Sequence, residues 1–263
     1  MSMGELITRT RARASPGLPK IPSRRHVPMF IPAVAVLLLS DAAAASKPVL
    51  TYFGIAGRGE VARLYAVVGS VDIVDNINTT DYKTKTPIGY LPAVAHPEAG
   101  LFTQCQFSMG CLQESLAVER YIASLSPVFE ALTPQARAVD DMFAQIKEDL
   151  IAVEPGAANA SLAPSLVTPL YDRYLTVLAN DGYIPASGFV NGQAFPTGAD
   201  LSLLVFVKSG FPYGKALANA HYDVATKFPA IMALAERTAA FPAVKAYLAT
   251  SKTFYTQFAA EGI

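Results

Sequence analysis

The stretch Val49-Leu-Thr-Tyr-Phe-Gly-Ile-Ala-Gly-Arg-Gly-Glu-Val-Ala-Arg63 limits what this chain can fold into more than any other. It begins as a short apolar strand, Val49 to Phe53, and turns through Gly54, Gly57 and Gly59. It then takes up a period near 3.6, with Val61, Leu64, Tyr65 and Val68 on one face. Strand, tight turn and helix make half of a βαβ unit, whose turn amides and helix N-terminus face whatever binds above the strand end. Tyr52 sits at that end and Arg58 follows it. The pattern predicts a place that holds an anion beside a phenolic hydroxyl.

Composition narrows the class. The 263 residues suffice for one large or two small domains, and 52% apolar with only 16% charged residues excludes a disordered chain. A formal net charge of zero, with no basic face and no aromatic–basic interleaving, points away from nucleic acid. The two cysteines, Cys105 and Cys111, share one segment, and the histidines (His26, His96, His221) are scattered. That is neither a disulfide framework nor a zinc site, and no metal is expected.

Residues 1–46 do not read as fold. Arg9, Arg11, Arg13, Lys20, Arg24 and Arg25 precede an apolar run from Val27 to Leu39, and small residues follow at 42–46. That order describes a targeting segment, secretory or organellar; an uncleaved anchor, or a start at Met29 with a cytoplasmic product, are the other readings. The run holds Pro28 and Pro32 and is too short for a comfortable span, so no stable membrane span is expected after processing. Asn78 and Asn159 head glycosylation triplets that would matter on a secretory route.

Further along, Asp72–Ile77 reads as a second strand and Thr79–Tyr90 as a polar connection. Leu91-Pro92-Ala-Val-Ala95 reads as a strand entered through a proline, with the Leu91–Pro92 bond a candidate cis peptide. Gly100–Thr103 would be a return strand, and Glu114–Leu125 is helical. Thereafter only helical periods follow. Thr133-Pro134 opens a helix to about Val153, Pro164–Ala179 forms another, and Thr197-Gly-Ala-Asp200 has capping-box spacing. Phe228-Pro229 and Phe241-Pro242 start two more. The organisation predicted is an extension (1–46), an α/β domain (47–125), a linker (126–133) and an all-α domain (134–263).

Taken in order, Thr51-Tyr52-Phe53, Gly57-Arg-Gly-Glu60, Gly89-Tyr-Leu-Pro-Ala-Val94, Glu114-Ser-Leu-Ala-Val-Glu-Arg-Tyr121 and the Thr197–Asp200 box resemble the glutathione transferases, closest to their tyrosine-type, sigma-like class. The resemblance spans about residues 48 to 250. It implies a thioredoxin-like N-terminal domain followed by an all-α helical bundle, and reduced glutathione as co-substrate. Tyr52 would donate a hydrogen bond to the glutathione sulfur and Arg58 would add positive potential, both favouring the thiolate that is the nucleophile. Leu91 would pair through its backbone with the cysteinyl part, beside Pro92. Glu114 and Ser115, at a helix N-terminus, would hold the γ-glutamyl end, and Lys83 or Lys85 the glycyl carboxylate. Asp149 would reach the γ-glutamyl amine of a neighbouring subunit, which implies a homodimer. Phe254 and Phe258 would line the site of a small hydrophobic electrophile.

The chain departs from that pattern in two places. No tryptophan accompanies the lysines. Residues 105–113 lengthen the expected hairpin, and removing them would join Gln104 to Glu114 as in ordinary relatives, so they read as an insertion. The leading expectation is a transferase that conjugates glutathione to hydrophobic electrophiles. A glutathione-dependent isomerase or peroxidase, or a non-catalytic ligand carrier of the same fold, are the alternatives.

Overall fold

A computed structural model of the chain describes residues 46–99 and 111–256. The expected targeting segment apart from Ser46, the strand expected at 100–103, Cys105, residues 105–110 of the expected insertion and Phe258 lie outside the described residues.

The first strand–turn–helix forms as its pattern demands. β1 (Val49–Thr51) buries Leu50, and a single turn of 3₁₀ helix at Gly57–Gly59 leads into α1 (Glu60–Val68). Val61, Leu64, Tyr65 and Val68 all lie in the core. β2 (Val74–Asn76) pairs parallel to β1, β3 (Ala93–Ala95) antiparallel to it, and β4 (Leu112–Gln113) antiparallel to β3, giving the order β2-β1-β3-β4. Pro92 immediately precedes β3, where its missing N–H costs no ladder bond, and the Leu91–Pro92 peptide is cis. The return strand is thus at Leu112–Gln113, within the nine residues expected to be an insertion; Val94 pairs with Leu112 and Ala93 with Gln113.

The polar connection before Pro92 contains one helical turn, α2 (Tyr82–Lys85). After β4 the described chain is helical: α3 (Ser115–Ser124), α4 (Pro127–Glu130), α5 (Pro134–Ile151), α6 (Glu154–Ala157), α7 (Ala163–Asn180), α8 (Gly198–Lys208), α9 (Lys215–Asn219), α10 (Val224–Lys227), α11 (Pro229–Ala240) and α12 (Pro242–Thr250). A thioredoxin-like domain followed by a helical domain is the architecture that results. α4 occupies the segment expected to be a linker, because Ser126 caps it by accepting from Val128 N and Pro127 takes its first position. Thr133 caps α5 in the same way, accepting from Ala136 N.

α8 is apolar all round and every residue from Leu201 to Val207 is buried, so it forms the axis of the helical half, with α5 and α11 against it. Its N-terminus is held by two buried carboxylates. Asp200 accepts from Thr197 N and from Val190 N, both at 2.9 Å. Asp140 of α5 accepts from Ala199 N at 2.8 Å, from Thr197 Oγ1 at 2.7 Å and from Asn191 Nδ2 at 2.9 Å. One carboxylate therefore completes the cap and the other latches α5 to it.

Asp200→Ala leaves two amides of this corner without an acceptor, and the expected loss is about 3 kcal/mol. Asp200→Asn keeps an acceptor for one amide but turns its NH2 toward the other, so it should lose about half of that or more, and still less than Asp200→Ala. Denaturant midpoints of the two variants against wild type measure the difference.

Candidate active site

Tyr52 follows β1 directly, anchored by its own amide, which donates to Asn76 O at 3.1 Å. Its ring lies flat along the glycine turn and is only 4% exposed. The turn tolerates no side chain there: a Cβ on Gly57, whose φ is +43°, or on Gly59 would stand 2.4 Å from Tyr52 atoms. The same turn points the Arg58 amide at the phenolic oxygen, 2.9 Å away. Because the oxygen accepts that bond, the hydroxyl proton remains available to another acceptor. Burial pushes the hydroxyl up to about 12, against the Arg58 amide and the charges of Arg58 and Arg63, so the group is a neutral donor at ordinary pH.

Two cavities meet at Arg58. One, of about 350 Å³, is lined by Arg58, Tyr90, Leu91, Glu114, Ser115 and Glu148. The other, of about 280 Å³, has Tyr52 and Arg58 at its head and Phe53, Ile55, Phe211 and Pro212 among its walls. The structure thus brings together Tyr52, Arg58, Leu91, Glu114 and Ser115, five residues singled out from sequence motifs, with Pro92 buried behind them. Glu114 precedes α3 with φ at +71°, a strained value for a non-glycine residue, and its exposed side chain stands at the rim. Ser115 is the first residue of α3 and is buried.

Glu148 is the residue the sequence did not reveal. It accepts from Arg58 Nε at 2.6 Å through one oxygen, and through the other from Ser115 Oγ at 2.8 Å and Lys147 Nζ at 3.1 Å. Lys147 is fully buried and also pairs with Glu119 of α3. Burial opposes ionisation of Glu148, but Lys147, the Ser115 hydroxyl and Arg58 outweigh it and hold the carboxyl below its usual range. Burial pushes Glu119 up to about 7 against the pull of Lys147. The guanidinium expected to supply positive potential at Tyr52 is therefore shared with a carboxylate.

Other expected site residues are placed elsewhere. Lys83 projects over the Tyr82 ring at 6.0 Å, and Lys85 donates to Thr80 O at 3.1 Å and sits 3.6 Å from Asp81. Neither lines the two cavities. Asp149 faces α7 in its own subunit, accepting from Tyr174 OH at 2.5 Å and Gln145 Nε2 at 2.9 Å. Phe254, expected to line the hydrophobic site, is instead a fully buried core side chain. It acts on the site through its backbone, because its carbonyl accepts from Gly210 N at 2.7 Å, beside the Phe211–Pro212 wall. Gln113 was also unforeseen: it accepts from Ile88 N and donates to Tyr90 O, pinning the loop that presents Leu91. Among the described residues no cluster of three His, Cys, Asp or Glu is placed to hold a metal ion, and no helix is long and apolar enough to cross a membrane.

Stability linked to Glu148 should follow its depressed titration. Its contribution is complete above the ordinary 4.5 and is lost as pH falls through the lower folded-state value. Glu148→Gln, which leaves Lys147 with Glu119 alone, should cost about 3 kcal/mol at pH 7. Urea unfolding of both proteins from pH 7 to pH 3 should show that gap closing below about pH 4.5, and a gap constant over the range would remove Glu148 as an ionised hub.

No family model matches the chain, and no curated protein does. Solved structures do. Rat hPGDS complexed with a quinoline superposes with a TM-score of 0.61 at 20% identity, over 81% of this chain and 100% of that one. The glutathione S-transferase from Ascaris lumbricoides gives 0.60 at 22%, over 78% and 98%. The Fasciola hepatica sigma class GST gives 0.57 at 18%, over 81% and 99%. At these identities the likeness speaks for architecture alone, and that architecture is the fold of the glutathione S-transferases.

Proposed function

We propose that the protein is a glutathione transferase that forms the glutathione thiolate beside Tyr52 and adds it to a small hydrophobic electrophile. The observation that carries the reading is the Tyr52 hydroxyl. It is neutral, already accepts the Arg58 amide, and lines the apolar cavity beside Arg58, the residue that also lines the polar one. The tripeptide would occupy the polar cavity, with the Leu91 backbone along its cysteinyl part and Ser115 with the α3 N-terminus at its γ-glutamyl carboxylate. Glu114 and Glu148 suit its α-amino group. Lys83 or Lys85 would reach the glycyl carboxylate only by leaving its present contact, so we assign neither a fixed role.

Thiol ionisation releases a proton to solvent, and the Tyr52 O–H then donates to S⁻. With a chloroarene substrate the sulfur forms a C–S bond and chloride departs with the bonding pair. The site would be completed in a homodimer if Asp149 of one subunit meets the ligand of the other. The basic and apolar N-terminal extension is proposed to be a targeting segment. A glutathione-dependent isomerisation, which the same thiolate could serve, is the second reading, and its test is the same variant with a different substrate.

Tyr52→Phe should bind immobilised glutathione as wild type does and conjugate 1-chloro-2,4-dinitrobenzene about 10²–10³-fold more slowly. Equal rates would remove the tyrosine mechanism. Absence of glutathione binding by the wild-type protein would favour a ligand carrier.

A further inference from the structure

The apolar cavity contains a charge that a purely hydrophobic site does not need. Glu154, the first residue of α6, lines it together with Ile151, Pro155, Phe53 and Phe211. Among the described residues lining this cavity only Arg58 and Glu154 are charged. They are not equivalent. Arg58 already has an ion-pair partner, Glu148, at 2.6 Å, while Glu154 feels Arg58 only at a distance and forms no salt bridge among the described residues. A half-buried carboxylate without its own cation is costly, and a site retains one more readily where a ligand group repays it.

We propose that Glu154 sets the charge selectivity of the electrophile site, favouring neutral and cationic aromatic electrophiles over those that carry a carboxylate. The argument rests on charge balance. With Arg58 taken up by Glu148, the described lining of the free cavity is net negative at Glu154. On the reading that the glutathione thiolate forms beside Tyr52, the loaded site gains a second negative charge next to the same cavity. An incoming carboxylate meets both. An ammonium or a hydrogen-bond donor on the ring can instead be placed at Glu154, while the rest of the ring packs on Phe53 and Phe211. The cavity, of about 280 Å³, has room for one substituted aromatic ring. Burial raises the Glu154 carboxyl somewhat, as expected of a group facing apolar walls, and Arg58 works against the rise.

The test compares matched probes on the full chain: neutral 1-chloro-2,4-dinitrobenzene, anionic 4-chloro-3-nitrobenzoate and cationic (4-chloro-3-nitrobenzyl)trimethylammonium. Because the Glu154 side chain is partly exposed, the preference of cation over anion attributable to it should be about fivefold in kcat/KM. Glu154→Gln should abolish the preference, Glu154→Lys should invert it, and Glu154→Asp should retain it. The intrinsic reactivity of each probe with free glutathione is divided out. A parallel calorimetric titration with 3-nitrobenzoate and (3-nitrobenzyl)trimethylammonium, without glutathione, reads the same selectivity independently of turnover. If no probe is turned over but the calorimetric preference follows the residue at 154, the transferase reading fails and this one stands. If probes are turned over and wild type and Glu154→Gln discriminate alike, the selectivity proposal is overturned and the transferase reading stands.

Discussion

The buried ion chain Glu119–Lys147–Glu148–Arg58 is the constraint on which the rest of the site depends. Lys147 has no exposed surface, and an ammonium there is tolerable only between carboxylates, which Glu119 of α3 and Glu148 of α5 supply. α3 belongs to the sheet half and α5 to the helical half, so the pairing fixes the two helices against each other at the level of the cavity. Glu148 then passes the constraint on. It holds Arg58, whose amide is bonded to Tyr52, and it holds Ser115 at the head of α3. Removing Lys147 strips Glu119 of its ion-pair partner and removing Glu148 strips Arg58 of its own, while loss of either end member leaves the inner pair Lys147–Glu148 intact.

A second tie works from the far end of the chain. Glu60, at the start of α1 and fully buried, accepts from Arg63, from Tyr247 OH at 2.6 Å and from Thr253 Oγ1 at 2.9 Å. Arg63 in turn donates to the carbonyls of Phe53 and Ile55, which fixes the segment carrying two walls of the apolar cavity. The segment just beyond Thr253 accepts from Gly210 N and Phe211 N through the carbonyls of Phe254 and Thr256, and so sets the opposite wall. The described C-terminal residues, up to Thr256, therefore position both sides of the cavity, and none of them lines it. That explains why an aromatic at 254, expected from sequence to touch the substrate, is a core residue.

What was legible in the sequence was what has a local cause. The glycine turn, the proline before β3, the Thr133-Pro134 start and the Thr197–Asp200 box are each dictated by backbone chemistry within a few residues, and each appears where it was expected. Strand ends and short elements were less legible: β4 is two residues long and carries no period, and α2, α4 and α6 are single turns. The ion chain was not singled out from the sequence, because Lys147-Glu148-Asp149 looks like any charged run on a helix. One signal was present nonetheless. Phe143, Ile146 and Leu150 are buried on one face of α5, and Lys147, four residues after Phe143, falls on that face. Glu119 occupies the same place on α3, between Val118 and Ile122. Charges at core positions on two helices, of opposite sign, are the pattern of a buried pair.

The distribution of acid around the two cavities bears on how a peptide-like thiol would be recognised. Glu114 at the rim and Glu148 behind it put two carboxylates beside Ser115, whose hydroxyl is already donating to Glu148. A ligand carboxylate arriving there competes with Glu148 for that hydroxyl and relies on the N-terminal amides of α3, whereas a ligand ammonium meets two acceptors at once. On the proposed reading, the zwitterionic γ-glutamyl end suits this arrangement because its two charges are offset by one carbon. The ammonium lies toward Glu114 and Glu148, and the carboxylate toward the helix. A simple carboxylic acid gains only the weaker half of those contacts. Recognition at this end would then rest on the amine more than on the acid, the reverse of what a serine at a helix N-terminus suggests when read alone.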